Sequence, residues 1–323
     1  MHESSQPIGK NDQSQYLEGS SSQFAPIALF TFNRPEHTHR TLEALALNPE
    51  FSHSTLYIFC DAARDNSDVE AVKQTRQLIH DWYHPDKQII ERETNWGLAK
   101  SIISGVTQIV DKYESIIVLE DDMVTSPHFL RYMNTGLNMY RNDERVISIH
   151  GYAYPIDDLP GTYFIRGASC WGWATWRRGW DLFESDGEKL FQLLKKRKLM
   201  HRFNVLGSFP YRRMLLDQIA GRNNSWAVRW YASALINDKL TLHPGTSLIR
   251  NIGLDGSGSH CDEYEGFDTE PSQNPIQVED NPVIESDSAL LAWKKYLRTL
   301  RIKKTLATLS SPTQLFHTLR RRL

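Results

Sequence analysis

Short apolar runs that end in polar turn residues recur along the first part of the chain. Three of these runs cover residues 25–32, 55–60 and 115–119, and a shorter strand is predicted over residues 87–91. Runs of this length are typical of strands that are buried on both faces of a parallel sheet. Between the runs, apolar residues recur every three to four positions, which predicts helices after Pro35 and over residues 68–83 and 98–113.

Strands that alternate with helices in this way predict an α/β fold with a right-handed, mostly parallel sheet flanked by helices. Ligands bind sheets of this kind outside the carboxyl ends of the strands. The polar residues at the four predicted ends are Asn33, Arg34, Asp61, Asn95, Glu120, Asp121 and Asp122. The sequence therefore predicts that these residues converge on one ligand site.

The pattern changes beyond residue 126. Helices are predicted over 127–140, 190–200, 211–221 and 226–236, and strands over 146–150 and 240–243. Six of the nine tryptophans fall between residues 171 and 230. Because aromatic rings stack on the apolar faces of sugars, Trp171, Trp173 and Trp226 are candidates for carbohydrate binding; an aromatic core is the other interpretation.

Composition divides the chain into four parts. Residues 1–24 are rich in Ser and Gln, which predicts a disordered segment. Residues 25–262 form the predicted globular domain, with one half over 25–125 and a second over 126–262. Residues 263–288 are acidic and contain several prolines, as in a linker, and residues 289–323 form a basic tail with helical spacing.

Charge is unevenly distributed along the 323 residues. The chain has 37 basic and 39 acidic residues, a formal net charge of −2, which argues against a nucleic-acid-binding protein. The tail carries nine basic residues and no acidic ones, so the remainder carries −11. With Trp293, Leu297 and Leu306 interleaved, the tail predicts contact with an anionic membrane surface, or else a helix that covers the acidic body.

The sequence contains no sign of export or of a membrane span. No apolar run reaches about 18 residues, and residues 1–23 lack the apolar stretch of a signal peptide. Cys60, Cys170 and Cys261 are far apart and form no CxxC pair, which fits a reducing compartment. We therefore expect a cytoplasmic protein, held at the inner face of the cell membrane if the tail binds there.

The acidic run Glu120–Asp122 is the clearest chemical signal. Adjacent carboxylates after a buried strand repel one another, and a hard cation with oxygen ligands relieves the repulsion. The run therefore predicts a Mn²⁺ or Mg²⁺ site with positions open for substrate phosphates, with a solvated turn or helix cap as the alternative.

Two further strand ends have polar residues suited to a nucleotide. Asp61 predicts hydrogen bonds to ribose or base, unless it caps a helix. Asn95 begins a turn into a helix whose amides, together with Lys100, are expected to meet a phosphate. The chain contains neither a GxGxxG fingerprint nor a P-loop.

A glycine-rich loop over 251–260 ends at His260, which is a candidate metal or phosphate ligand that closes over the site; an exposed histidine without a ligand is the alternative. His150, at the end of the strand predicted over 146–150, has the same two interpretations, a ligand or a histidine without one.

These motifs together resemble glycosyltransferases of the GT-A fold. The likeness is to bacterial sugar transferases similar to the Golgi N-acetylglucosaminyltransferase I family, and it extends in order over residues 25–262. The matching segments are residues 31–35, 59–61, 95–99, 118–122, 172–176 and 248–253.

The resemblance implies a metal-dependent, inverting transfer of sugar from a nucleotide-sugar donor to a glycan or lipid-linked acceptor, as in polysaccharide biosynthesis. Asn33, Arg34 and Asp61 would contact the base and ribose. Asp122 would bind the metal that bridges the diphosphate, with Glu120 and Asp121 nearer the sugar and ribose. The metal would stabilise the leaving nucleoside diphosphate.

The catalytic base is where the chain departs from the animal family. That family carries its acid between two tryptophans, whereas this chain has no acid between Trp226 and Trp230. Asp217 resembles the acid that other inverting GT-A enzymes place at a helix start, so it is the predicted base. A sugar-1-phosphate nucleotidyltransferase and a non-catalytic sugar-binding protein with a degenerate site remain the alternative functions.

Overall fold

The computed structural model describes residues 24–255 and 265–310. Its centre is an eight-stranded sheet in the order β3-β2-β1-β4-β8-β6-β9-β7. These strands are β1 (Ile27–Thr31), β2 (Leu56–Cys60), β3 (Lys87–Glu91), β4 (Ser115–Glu120), β6 (Val146–His150), β7 (Thr162–Arg166), β8 (Trp173–Trp176) and β9 (Leu240–Pro244). The short strands β5 (Met123–Thr125) and β10 (Ile249–Asn251) pair separately and antiparallel.

Ten α-helices accompany these strands in the described part of the chain. They are α1 (Pro35–Ala46), α2 (Val69–Asp81), α3 (Gly97–Tyr113), α4 (Phe129–Met139), α5 (Arg177–Trp180), α6 (Gly187–Lys196), α7 (Met200–Phe203), α8 (Tyr211–Ile219), α9 (Trp226–Ile236) and α10 (Asp287–Ser310). The predicted α/β class, a mostly parallel sheet flanked by helices, is confirmed.

The first four strands form the parallel part of the sheet. β1 pairs in parallel with β2 and β4, and β2 pairs in parallel with β3. Alternate residues of β1 point to opposite faces: Ile27 and Leu29 pack with α1 and α4, while Ala28 and Phe30 pack with α3. Both faces of β1 are therefore covered, which explains why this strand is a continuous apolar run.

The aromatic segment that the sequence left unassigned contains a central strand. β8 runs antiparallel between β4 and β6, with Val118 opposite Trp173 and Ser148 opposite Thr175. The sheet is thus continuous across residue 125, and the two predicted halves share it. Periodicity did not reveal β8, because all four of its residues are buried and it is too short to show a period.

The acidic segment is loop, but it is anchored rather than free. Arg250 pairs with Asp268 and Glu270, and Glu285 accepts from Arg166 and Arg202. These contacts hold the described part of the segment against the body, and the predicted linker boundaries at residues 263 and 288 stay a prediction.

The basic tail begins as a docked helix. Trp293 and Leu297 of α10 are 8% and 2% exposed, and the Trp293 indole donates to the hydroxyl of Tyr163 at 3.1 Å. These two apolar residues, predicted to face a membrane, belong to the core instead. Residues 1–23 and 311–323 lie outside the described part, so the predicted disorder of residues 1–24 and the end of the tail stay predictions.

Candidate functional site

The acidic run lies at the carboxyl end of β4, beside the residue that follows β1. Nη2 of Arg34 donates to Oδ1 of Asp121 and, at 2.8 Å, to Oδ2 of Asp122. The side chains of Asp121 and Asp122 are 6% and 10% exposed, and that of Arg34 is 19% exposed. The predicted convergence of Arg34 with the acidic run is therefore present, and the contact is a shared ion pair.

Burial dominates the electrostatics of this cluster. Burial, reinforced by the negative charges of Asp122 and Asp121, raises the pKa of Glu120 to about 8. Burial also raises the pKa of Asp121 to about 6, although the Arg34 guanidinium opposes the rise. Three carboxylates with one guanidinium are electrostatically strained, since desolvation and like charge both disfavour their ionised forms.

A turn over residues 252–255 covers the cluster. The β5–β10 ladder holds this turn in place, and the backbone N–H of Ile252 donates to the carbonyl of Asp122 at 2.9 Å. Gly253 lies so close that a Cβ there would overlap the carboxylate of Asp122 and would come within 2.9 Å of Nη1 of Arg34. His37 and Asp255, 3.1 Å apart, close the outer side.

Two buried atoms of the cluster lack hydrogen-bond partners among the described residues. They are Oδ1 of Asp122 and Nη1 of Arg34. An unpartnered carboxylate oxygen beside two further carboxylates is a donor set that suits Mg²⁺ or Mn²⁺. No three acidic, histidine or cysteine side chains of the described residues converge on one point. The residues therefore fit a cation that takes one or two protein carboxylates and fills its other positions from the substrate.

Asp61 follows β2 and caps a neighbouring helix. Its carboxylate accepts the backbone N–H groups of Ala62 at 2.9 Å and of Trp96 and Gly97 at 2.8 Å each. The amides of Trp96 and Gly97 begin α3, and they are the ones that the sequence assigned to a phosphate. They are already bound by Asp61, which favours the capping interpretation of this buried carboxylate.

Asn33 and Asn95 have partners within the protein. The amide of Asn33 donates to Asp68 at 2.6 Å, and Asp68 also binds Arg64. The amide of Asn95 donates to the carbonyl of Ala62 at 2.6 Å. Both side chains lie at the predicted edge of the sheet, where their described hydrogen bonds stabilise the loops after β1 and β3.

A cationic aromatic stack marks the end of β3. The guanidinium of Arg92 lies 3.8 Å from the centre of the Trp96 ring, and Nζ of Lys100 lies 4.2 Å from it. Nε and Nη2 of Arg92 are buried without a hydrogen-bond partner in the described residues. Arg92 was not among the predicted site residues, although its place directly after a predicted strand was the available signal.

The candidate tryptophans have different environments. Trp173 and Trp226 are 1% and 3% exposed and stack on each other at 5.5 Å, within the core between the sheet and α9. Their rings offer no face to a sugar, so the prediction that these two bind acceptor is corrected to a core role. Trp171 is only half-buried, and its ring packs edge-on against Tyr152 at 4.7 Å.

Asp217 lies on α8 between two arginines. Arg213 donates to its carboxylate at 2.9 Å, and Arg222 donates to it at 2.7 Å through Nε. Although burial acts in the opposite direction, the hydrogen bonds from Arg222 and Arg213 lower the pKa of Asp217. The carboxylate is therefore ionised at neutral pH, with both oxygens engaged.

His150 belongs to a buried histidine pair that the sequence did not predict. Nδ1 of His150 lies 3.2 Å from Nδ1 of His243, and the backbone N–H of Trp171 donates to Nε2 of His150 at 3.3 Å. Burial lowers the pKa of both, that of His243 to about 3, so both rings are neutral. The pair thereby fixes the backbone beside Trp171.

Other candidates add little to the site. Cys60 and Cys170 are free thiols whose pKa is raised by burial, so neither is an activated nucleophile. His260 and Cys261 lie outside the described residues, and the role predicted for His260 stays a prediction.

An open groove of about 530 Å³ lies along α3, and apolar atoms make up more of its lining than polar ones. Lys100, Ser104 and Gln108 line it on one side, and Asn224 and Arg229 line it on the other. Its volume lies in the range of small-molecule sites. Because Lys100 also contacts Trp96, the groove begins next to the cationic aromatic stack.

Comparison with known proteins finds only remote likenesses. No family model matches the chain, and no curated protein matches it. Among solved structures, it is similar to the mannosyltransferase PcManGT from Pyrobaculum calidifontis in complex with GDP-Man and Mn²⁺, at 12% identity and a TM-score of 0.33. The alignment covers 54% of this chain and 47% of that chain.

Two further solved structures have a similarly low identity and TM-score. GalNAc-T7 with UDP, GalNAc and Mn²⁺ is 11% identical with a TM-score of 0.36, over 50% of this chain and 37% of that chain. A UDP-glucose pyrophosphorylase complexed with UDP-glucose is 12% identical with a TM-score of 0.35, over 71% and 94%. The chain thus spans less than half of the two transferases, and likenesses this remote carry no argument about activity. Membership of the N-acetylglucosaminyltransferase I family stays a prediction.

Proposed function

We propose that this protein is a glycosyltransferase that uses a nucleotide-sugar donor and a divalent metal ion. The supporting observation is the convergence of Arg34 with Asp121 and Asp122 at the carboxyl edge of four parallel strands. This edge is where α/β sheets bind nucleotides, and the exposed end of β3 adds the cations Arg92 and Lys100 beside Trp96.

The donor lies, in this proposal, between the acidic cluster and the cationic aromatic stack. Arg92 and Lys100 supply positive charge, and Trp96 supplies a flat apolar face for a base or sugar. Asn33, Asp61 and Asn95 shape the edge through their loop and helix contacts, and Arg34, Glu120 and Asp121 line its inner end. This assignment keeps all seven predicted donor-binding residues at one edge, with Lys100 at its rim.

Asp122 is the proposed metal ligand, because its Oδ1 is buried and has no described hydrogen-bond partner. When bound, a divalent cation would stabilise the negative charge of the departing nucleoside diphosphate. Asp121 and Glu120 supply the neighbouring negative charge, and His260 remains a further candidate ligand on the segment that follows the covering turn.

The acceptor is proposed to be a glycan or a lipid-linked sugar. Trp171 is the one candidate tryptophan with exposed surface, and the groove beside α3 offers the hydroxyl and amide groups of Ser104, Gln108 and Asn224. For an inverting reaction Asp217 is the proposed base. It is ionised, and it would have to exchange one of its arginine partners for the acceptor hydroxyl.

A cytoplasmic location against an anionic membrane is part of the same proposal. Trp293 and Leu297 face the core, whereas Leu291, Ile302 and Leu306 on the opposite side of α10 are 56%, 50% and 61% exposed. Lys295 and Arg298 are exposed between them. Such a face suits a surface of acidic lipids. No helix among the described residues is long and apolar enough to span a membrane.

Release of nucleoside diphosphate tests the proposed activity. The full chain is incubated with a panel of nucleotide sugars and Mn²⁺, with and without EDTA. We expect metal-dependent release with at least one donor, lost in Asp122→Ala and retained in Asp81→Ala, an exposed carboxylate on α2. Absence of both donor binding and hydrolysis across the panel would refute the proposal. Asp217→Asn should abolish transfer while donor affinity persists.

A further inference from the structure

One guanidinium faces the three carboxylates of the acidic cluster. Among the described residues, Arg34 is the only basic side chain that forms an ion pair with Asp121 or Asp122, and one nitrogen serves both. Glu120 has no ion pair in the described part of the chain. The cluster is thus held together by a single positive charge that is shared between two acids.

This ion pairing leaves one hydrogen-bond acceptor and one hydrogen-bond donor without a described partner. Asp122 is 7% exposed, yet its Oδ1 has no described hydrogen-bond partner. Nη1 of Arg34 is likewise buried without one. An unsatisfied buried carboxylate oxygen carries a desolvation cost, which a ligand at this position would offset. This observation, independent of the acidic run in the sequence, points to a cation.

We infer that Arg34 is an internal counter-ion, which competes with a divalent cation for the oxygens of Asp121 and Asp122. The inference rests on the proposed metal-dependent function and deepens it. It assigns Arg34 a regulatory role at the metal site, in place of the base and ribose contact implied by resemblance.

The competition follows from which atoms are shared. Arg34 binds Oδ1 of Asp121 and Oδ2 of Asp122, so a cation that takes both carboxylates must displace the guanidinium or share oxygens with it. Two positive groups at one pair of oxygens repel each other. Arg34 therefore weakens cation binding in the resting protein and moves away from the carboxylates when the cation binds. Gly253 has no side chain to hinder this movement, whereas a Cβ there would come within 2.9 Å of Nη1.

Affinity for Mn²⁺ without nucleotide measures the competition directly. Free Mn²⁺ is quantified by electron paramagnetic resonance in titrations of the wild type, Arg34→Met, Arg34→Lys and the control Arg40→Met. Arg40 is an exposed arginine on α1, the helix that Arg34 directly precedes, so its removal reports the effect of one lost charge. We expect Arg34→Met to bind Mn²⁺ about tenfold more tightly or better, and Arg40→Met to bind as the wild type does.

Arg34→Lys separates competition from a simple field effect. Lysine keeps the charge but lacks the planar fork, so competition predicts tighter Mn²⁺ binding than in the wild type, whereas a field effect predicts no change. Equal or weaker binding in both Arg34 variants would overturn the inference and leave the proposed function standing. If neither the wild type nor any variant bound Mn²⁺, the proposed metal dependence itself would be refuted.

Thermal unfolding gives a second measurement on the same proteins. In Arg34→Met the carboxylates have no counter-ion, so added Mn²⁺ should raise the midpoint more than it does in the wild type. A smaller rise than in the wild type contradicts the competition. Arg34→Lys supplies the same comparison if Arg34→Met does not fold.

Discussion

The carboxylate of Asp61 accepts the backbone N–H of Gly97 at 2.8 Å, thirty-six residues further along the chain. The same carboxylate accepts the N–H groups of Trp96 and Ala62. The start of α3 is therefore fixed to the end of β2 by one side chain, which orients Trp96 and Lys100 at the edge of the sheet.

Replacing Asp61 by asparagine should destabilise the protein by about 1–3 kcal/mol, because the amide nitrogen cannot accept a hydrogen bond from a buried N–H. Urea unfolding at pH 7 measures the loss. Asp81→Asn, an exposed change on α2, is the control and should cost less than about 0.5 kcal/mol. An Asp61→Asn protein as stable as the wild type would show that the cap is dispensable.

Gly253→Ala should weaken metal-dependent activity by roughly tenfold or more. A Cβ at this position overlaps the carboxylate of Asp122 and presses on Arg34, so the turn must shift away from the cluster. Initial rates against Mn²⁺ concentration provide the measurement. The matched control is Gly161→Ala, where an added Cβ meets nothing within 4 Å. Unchanged Mn²⁺ dependence in Gly253→Ala would mean that the turn does not constrain the site.

Trp173 and Trp171 should respond differently to alanine. Trp173 is 1% exposed and packs against Trp180, Trp226 and Trp230, so Trp173→Ala should cost about 3–5 kcal/mol of unfolding free energy. Trp171 is half-buried against Tyr152, and its replacement should cost about 1.5 kcal/mol or less while raising the KM for acceptor. Denaturant unfolding and acceptor kinetics distinguish these outcomes. An acceptor KM in Trp171→Ala equal to that of the wild type would show that Trp171 does not belong to the proposed acceptor site.

The buried histidine pair should make the protein lose stability below about pH 6.5. Burial lowers the pKa of His150 and His243, so the unfolded chain binds protons that the folded protein excludes. Their contribution is complete above the unfolded value of about 6.5 and is lost as pH falls towards the folded value, which is about 3 for His243. The slope is about 1.4 kcal/mol per pH unit for each histidine.

Unfolding free energies between pH 7 and 5 test this slope. Replacing both histidines with phenylalanine removes both members of the pair and should flatten the profile in that range. His80→Gln, which changes an exposed histidine paired with Glu91, should leave most of the slope in place. A double variant as acid-sensitive as the wild type would contradict the assignment.

The parallel part of the fold was predictable because β1, β2 and β4 are buried on both faces and amphipathic helices separate successive strands. β3 and β6 begin and end where the apolar runs predicted. β8 was not predicted, because a four-residue strand inside a tryptophan-rich segment has no period of its own. Its pairing depends on β4 and β6, which are distant in sequence.

The sequence predicted where the candidate site lies, but not which contacts its side chains make. The strand-end rule brought Arg34 and Asp122 together correctly. It could not show that Asp61 binds the amides of α3, since a carboxylate at a strand end suits a helix cap as well as a ligand. Nor could it separate Trp171 from Trp173, because the burial of each ring depends on packing partners outside this segment.

The position of β8 also limits how the site can open. β8 forms backbone hydrogen bonds with β4 on one side and β6 on the other, so donor-side and acceptor-side residues belong to one continuous ladder. Hinged domain closure around a substrate would break that ladder. In the proposed transferase, substrate entry and product release would therefore rely on local rearrangement of segments at the rim, one of which is the turn over residues 252–255 beside the acidic cluster.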